Sequence, residues 1–371
     1  MTTDRRREWT STMRGNATRD GLVFSHRDTP PRIVAAKLVS RSAREEFEDQ
    51  TLSGGATRAR GAGHRAIEEQ PDALRTCFER DRDRILHSNA FRRLAGKTQV
   101  FIFPADHQRT RLTHALEVAQ VATAVARATG LNVALTEAMA LGHDCGHGPG
   151  GHASEEAFDQ FIPGGYHHAV WGADVVLKPL NLCYETLDGI RNHSWSRPTP
   201  ATPEGVVVSW ADRCAYSAHD LEDAINAGIV TVDDLPRSIT TVLGTTRSSQ
   251  LRSLISALVS SVTSTGLVGM DAQHAEALAD LRSFNYEQVY NRPESLEQGQ
   301  AVIAVLKALV EKFSEAPHLL PDFDPDEESL TKAVTYVAGM TDRFAFETAV
   351  RLLDWPPARL PPGIETYSLR H

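Results

Sequence analysis

The sequence predicts an all-α protein, and three observations carry that expectation. Apolar residues recur every three or four positions through most of the chain beyond residue 73, few stretches alternate with period two, and glycines or prolines fall where helical runs stop. Residues 1–70 are the exception: they show little periodicity and hold the breakers Pro30-Pro31 and Gly54-Gly55, so they read as a partly disordered arm with one short helix over 43–50. The ordered core begins near Ala73. Over 111–129, Leu112, Leu116, Val118, Ala119, Ala122, Val125 and Ala126 lie mostly on one side, and Gly130 supplies a stop. Further helices are expected over 135–142, 154–161 and 184–193, then over 206–226, closed by Gly228. The pattern continues over 248–264, 272–283, 296–314 and 326–353. A short hairpin is suggested over 99–103, and residues 355–364, with four prolines, read as extended over the surface. The domain reading is an arm over 1–70, a core over 71–230, and a C-terminal helical region over 231–371 that completes the same domain.

Composition narrows the function classes. Of 371 residues 41% are hydrophobic, yet no run approaches the roughly 20 apolar residues that span a bilayer, so a soluble protein without membrane contact is expected. The first twenty residues are polar and arginine-rich and do not read as a secretory signal. Cys77, Cys145, Cys183 and Cys214 are far apart, which suits neither a disulfide framework nor a structural zinc site and fits a cytoplasmic location. The net charge of −9 is uneven: residues 1–44 hold ten Lys/Arg against four Asp/Glu. A solvated tail accounts for this arm, and contact with single-stranded nucleic acid is the alternative.

The chemistry concentrates between His143 and His152. Within His143-Asp144-Cys145-Gly146-His147-Gly148-Pro149-Gly150-Gly151-His152, three imidazoles and a carboxylate fall in ten residues among glycines that free the backbone to turn. A divalent cation takes imidazole nitrogen and carboxylate oxygen, and a catalytic site leaves a position open. His143 and Asp144 supply two ligands. His114, near the start of the 111–129 helix, and Asp212, on the apolar face of the 206–226 helix, are placed to supply two more. A carboxylate on a buried helical face needs a cation or a donor opposite it. The expectation is one divalent ion per subunit, with Mg, Mn, Fe, Co and Zn undistinguished.

This H…HD…D arrangement resembles the HD superfamily. The string Arg82-Asp83-Arg84-Ile85-Leu86-His87-Ser88, with Phe91-Arg92-Arg93-Leu94, Lys97-Thr98-Gln99-Val100-Phe101, Arg111-Leu112-Thr113-His114 and 211–225, looks like its deoxynucleoside triphosphate triphosphohydrolase branch, the dGTPase-like proteins. The likeness covers about residues 43–320. It implies an HD-domain helical bundle with additional C-terminal helices, hydrolysis of a dNTP to deoxynucleoside plus inorganic triphosphate, and assembly as a homo-oligomer, often a hexamer. Where the family usually has a Pro-Pro-Phe-like stretch, this chain has Gly148-Pro149-Gly150, so base preference does not carry over.

His152 and Glu155 are three apart at a helix start, so they share a face and can hydrogen-bond; a helix-start carboxylate opposite the dipole is the plainer account of Glu155. The resemblance implies that they form a general acid–base dyad and that His147 and His168 face phosphate, with His167 adjacent to the latter. Asp212, Tyr216 and Asp220 stand at i, i+4 and i+8, a stripe of about 12 Å at 1.5 Å per residue. The resemblance further implies that Gln99 and Asp220 grip a 3′-hydroxyl, that Val100 and Tyr216 crowd the 2′ carbon, and that Arg111, one turn before His114, reaches a phosphate. The alternatives are another HD-type nucleotide phosphohydrolase, which would leave the Gln99/Asp220 pair and Arg111 without a shared purpose, and a catalytically weak nucleotide or nucleic-acid binding protein.

Overall fold

Polar caps set where the helices begin. The computed structural model describes residues 3–13, 15–28, 30–104, 108–321 and 328–361, and the chain divides into two units, Met1–Val39 and Ser40–His371. The first unit holds helix α1 (Thr3–Ser11) and an antiparallel pair, β1 (Ala17–Arg19) with β2 (Leu22–Phe24), Ala17 facing Phe24. Asp20 and Gly21 link the strands with φ of 51° and 78°. Two positive φ values make the turn that matches strand twist, and Asp-Gly is a residue pair that adopts it. No other strands occur among the described residues.

The arm therefore ends at Val39, not near residue 70. Helix α2 (Arg41–Thr51) starts on the Ser40 hydroxyl. The stretch after it is tied to the body by polar contacts: the Ser53 amide donates to the Gly130 carbonyl (2.9 Å), and Thr57 donates from its amide and hydroxyl to Glu204 (3.0 and 2.8 Å). Such contacts leave no hydrophobic period to read.

In the second unit, α3 (Cys77–His87) opens on a capping box in which Thr76 and Glu79 satisfy each other's amides. A short α4 (Asn89–Arg93) follows, then α5 (Arg111–Thr129), ended by Gly130 at φ 69°. Next come α6 (Val133–Gly142), α7 (His152–Asp159), α8 (His168–Trp171) and α9 (Tyr184–Asn192). Helix α10 (Pro203–Asn226) begins three residues earlier than expected because Thr202 caps it and Pro203 fits its first position. Then α11 (Arg237–Leu243), α12 (Arg247–Thr265), α13 (Ala272–Asn285) and α14 (Pro293–Glu315) follow, with a π-helical turn, Tyr286–Tyr290, between the last two.

The single helix expected over 326–353, whose first two residues lie outside the described ones, is two: α15 (Ser329–Ala338) and α16 (Asp342–Leu353). Thr341 breaks the run by capping Phe344. The hairpin expected over 99–103 does not form: Phe103 has φ 57° and its ring packs on Phe346, 5.5 Å between centroids. Residues 355–361 include a short 3-10 turn, Pro357–Arg359, and 362–364 lie outside the described residues.

The buried apolar side chains form two clusters. One lies among α3, α5, α6, α9 and α10 and extends to α11–α13; the other joins α7 to α14, α15 and α16. Helix α5 packs on both α6 and α10, which brings the start of α5, the end of α6 and the middle of α10 together. Among the described residues no helix is long and apolar enough to cross a membrane.

Candidate active site and metal centre

Helix α6 stops at Gly142, and His143 turns its ring back so that Nδ1–H donates to the Ala140 carbonyl (2.7 Å). In the neutral ring that bond fixes the tautomer and puts the lone pair on Nε2, which is buried and has no hydrogen-bond partner among the described residues. This nitrogen faces carboxylates, lying 3.4 Å from Asp144 Oδ1 and 3.6 Å from Asp212 Oδ1. His114 Nε2, from the first turn of α5, is 3.0 Å from Asp212 Oδ1 and 3.9 Å from Asp144 Oδ2. Two imidazoles and two carboxylates from three helices thus converge, and an unpartnered buried nitrogen among acidic oxygens is what a divalent cation fits. The group His114, His143 and Asp212 is one of three His/Asp sets among the described residues close enough to hold an ion.

Burial pulls the His143 pKa down, but Asp144 and Asp212 more than reverse this, and it stands at about 9. Burial pushes the Asp144 and Asp212 carboxyls up, but the facing histidines, with Arg111 at Asp144, hold both well below the usual range. A ligand histidine must be neutral, so metal uptake should release close to one proton from His143 at pH 7. Affinity should then fall by up to about tenfold per unit as pH drops below 9. Calorimetric titration in buffers of different ionisation enthalpy measures the proton count, and a value near zero would contradict the assignment.

Asp144 is the hub. Arg111 donates from Nη1 to its Oδ2 (2.7 Å), while the Nε and Nη2 of the same buried guanidinium have no partner among the described residues. His147 Nε2 lies 3.3 Å from Asp144 Oδ1, and the His147 ring stacks on His168 at 3.7 Å between centroids. Burial and Arg111 push His147 well below its ordinary pKa, which leaves it neutral. His168 and not His167 joins this group; His167 is exposed.

The expected His152–Glu155 hydrogen bond is replaced by another. Glu155 Oε1 accepts both the His168 backbone N–H and its ring Nδ1–H, each at 2.9 Å. Two donors from one residue outcompete a neighbour on the same helix, and with its charge so held Glu155 lies well below the usual carboxylate range despite burial. His152 instead opens onto the cavity, its ring 5.2 Å from that of His147.

One cavity of about 450 Å³ is lined by Arg111, His114, Asp144, His147, His152, His168 and Asp212, and also by Gln99, Val100, Tyr216 and Asp220. His143 lies behind this wall, and Glu155 acts from behind His168. The Gln99 side-chain oxygen has no partner among the described residues. Asp220 is already engaged, by Arg109 on one oxygen and the Tyr290 hydroxyl on the other.

Sequence reasoning missed His193. It repeats the device of His143: it follows a helix end and donates Nδ1–H to the carbonyl three residues back, Ile190 (2.8 Å), leaving Nε2 3.2 Å from His168 Nε2. It also missed Trp195, over whose ring the Arg213 guanidinium sits at 3.4 Å, and Tyr290. Equally hidden was Asp342 at the start of α16, which accepts from the Gly150 amide (2.8 Å) and from the Thr98 amide (3.0 Å) and hydroxyl (2.5 Å).

The chain matches the family model described as HD domain over residues 111–217 and the one described as phosphohydrolase-associated domain over 268–351. It is 41% identical over 316 residues to a deoxyguanosinetriphosphate triphosphohydrolase-like protein of Caldanaerobacter subterraneus, covering 82% of this chain and 93% of that one. It is 40% identical over 295 residues to a protein of the same description from Clostridium perfringens, covering 74% and 86%. A solved phosphohydrolase from Bacteroides thetaiotaomicron shares the fold, with TM-score 0.50 and 17% identity over 76% of this chain and 71% of that one. With this likeness along most of its length, and a His/Asp centre where the HD model falls, the chain belongs to the HD-domain phosphohydrolases of the deoxyguanosinetriphosphate triphosphohydrolase-like family.

Proposed function

We propose that the protein hydrolyses deoxynucleoside triphosphates at the α-phosphorus, releasing deoxynucleoside and inorganic triphosphate. The observation that carries this is Arg111. A buried guanidinium with one N–H on Asp144 and two idle nitrogens in a cavity wall is a phosphate site, and the same cavity ends in residues suited to a sugar. The description of the relatives supports the same reading.

His114, His143, Asp144 and Asp212 would hold one divalent ion, which when bound supplies a Lewis acid that draws charge from a phosphate oxygen. Arg111 orients the α-phosphate and offsets its charge, and His147, held by Asp144, lines the cavity beside it. Water attacks phosphorus as the bond from phosphorus to the 5′ oxygen breaks, and the proton lost by the water goes to that leaving oxygen. His168, whose Nδ1–H is fixed on Glu155, moves that proton at its Nε2. The dyad is thus Glu155 with His168, and His152 lines the same cavity with its ring 6.4 Å from that of His168.

The test is product identity. Metal-loaded protein is incubated with each dNTP, NTP and dNMP, and products are separated by chromatography; triphosphate and deoxynucleoside support the reading, and release of pyrophosphate, phosphate or nothing overturns it. Sugar selectivity is a further expected result. Val100 and Tyr216 leave a 2′-hydroxyl crowded and unpaired, at a cost on the order of 1–3 kcal/mol, so kcat/KM for dGTP should exceed that for GTP at least about tenfold. Near-equal values would remove the deoxyribonucleotide assignment and leave the phosphohydrolase standing.

A further inference from the structure

Arg109 does not line the cavity, yet it holds Asp220, which does. It lies two positions before Arg111, is buried, and directs three nitrogens at three carboxylates. Nε donates to Asp223 (2.8 Å), Nη1 to Glu117 (3.1 Å) and Nη2 to Asp220. Glu117 belongs to α5 and the two aspartates to α10, so one guanidinium ties the helix carrying Arg111 and His114 to the helix carrying Asp212. Three acidic groups around one buried cation repel each other without it, and the charge of Arg109 sets where Asp220 points.

The second oxygen of Asp220 accepts the Tyr290 hydroxyl. A phenol has one hydrogen, and here it is committed to Asp220, so the Tyr290 oxygen is an acceptor only toward the cavity that both residues line. Tyr290 closes the π-helical turn Tyr286–Tyr290, a departure from α geometry of the kind found at functional sites. The cavity end reached by Asp220 and Tyr290 therefore offers acceptors to whatever enters. A hydroxyl donor gains hydrogen bonds at such an end, and a C–H in its place forgoes them.

We propose that Arg109 is a positioning residue for sugar recognition: it fixes Asp220, and through Asp220 it fixes Tyr290, whose oxygen is a further acceptor for the 3′-hydroxyl. This rests on the dNTP reading above. Substrate discrimination tests it, because general loosening of the fold lowers turnover of all substrates alike. On metal-loaded full-length protein, kcat and KM are measured for dGTP and for 2′,3′-dideoxy-GTP in wild type, Arg109→Lys, Arg109→Ala and Tyr290→Phe. Wild type should favour dGTP at least about tenfold, the worth of a buried hydroxyl bonded to a charged group. Tyr290→Phe and Arg109→Lys should shrink that preference several-fold, mainly through KM for dGTP, with bound metal unchanged, and Arg109→Ala should bring it near one. If the variants slow both substrates in equal proportion, Arg109 only supports the fold and the proposal is overturned. Wild type that cleaves both equally also overturns it while sparing the dNTP reading; wild type that cleaves neither removes both. Arg109→Lys and Tyr290→Phe keep the test decisive if Arg109→Ala does not fold.

Discussion

Asp144→Ala should take bound metal from about one equivalent to nearly none and eliminate turnover, and it should also destabilise the fold. The first effect follows from Asp144 lying within 4 Å of both His114 and His143. The second follows from Arg111, one of the largest fully buried side chains, whose only hydrogen bond from the guanidinium among the described residues goes to Asp144. Removing one partner of a buried ion pair costs about 3–5 kcal/mol, since the other charge stays behind uncompensated. Asp144→Asn keeps an oxygen for Arg111 and should lose metal with a smaller loss of stability. Adding Arg111→Met to Asp144→Ala should restore much of the difference. Metal analysis and chemical denaturation of the four proteins separate the two effects. A metal-free Asp144→Ala that retains full activity would end the metal proposal, and wild-type stability in it would show that Arg111 does not depend on this carboxylate.

The second large effect is expected at Glu155 and His168. Each alanine substitution should lower kcat by roughly 10²–10⁴-fold with metal retained, because a positioned acid–base group contributes about that much. Their double mutant should be little worse than the poorer single, since groups acting as a unit are lost together. The geometry behind this is the pair of bonds from one His168 to one Glu155 oxygen. His152→Ala should couple to Glu155→Ala more weakly than His168→Ala does, as no hydrogen bond joins His152 to Glu155. Coupling of His152 to Glu155, with His168 independent, would restore the dyad that helical spacing alone suggests.

That contrast shows what the sequence makes legible. The convergence of His114, His143, Asp144 and Asp212 was readable because it is written in residue types: a His-Asp pair after a helix end, with His114 and Asp212 on helices that must be buried. The partner of Glu155 was not readable, because i, i+3 spacing on a helix ranks only local neighbours, and the winner came from a loop and helix thirteen residues on. His193 resembled any histidine at a helix end until its ring was placed against His168. Arg109 and Arg111 look alike in sequence, and nothing in the chain distinguishes a guanidinium ringed by carboxylates from one with idle donors. The arm boundary failed for a related reason: Thr57 and Ser53 belong to the body through hydrogen bonds that carry no period. At 99–103 the alternation suggested a short hairpin, but Ile102 and Phe103 serve as packing for the second apolar cluster, to which α16 belongs.

Asp342 gives the order in which the protein becomes an enzyme during its synthesis. The amide of Gly150 in the histidine-rich loop and the amide of Thr98, next to Gln99, find their acceptor only in a carboxylate 192 and 244 residues farther along the chain. A nascent chain leaving the ribosome N-terminus first can fold α5, α6 and α10 and bring His114, His143, Asp144 and Asp212 together long before residue 342 is made. Until then the loop bearing His147 and His152 has no such anchor. Chains interrupted before α16 should therefore bind metal but turn over substrate slowly, which metal analysis and rate measurement on a protein truncated before Asp342 would check.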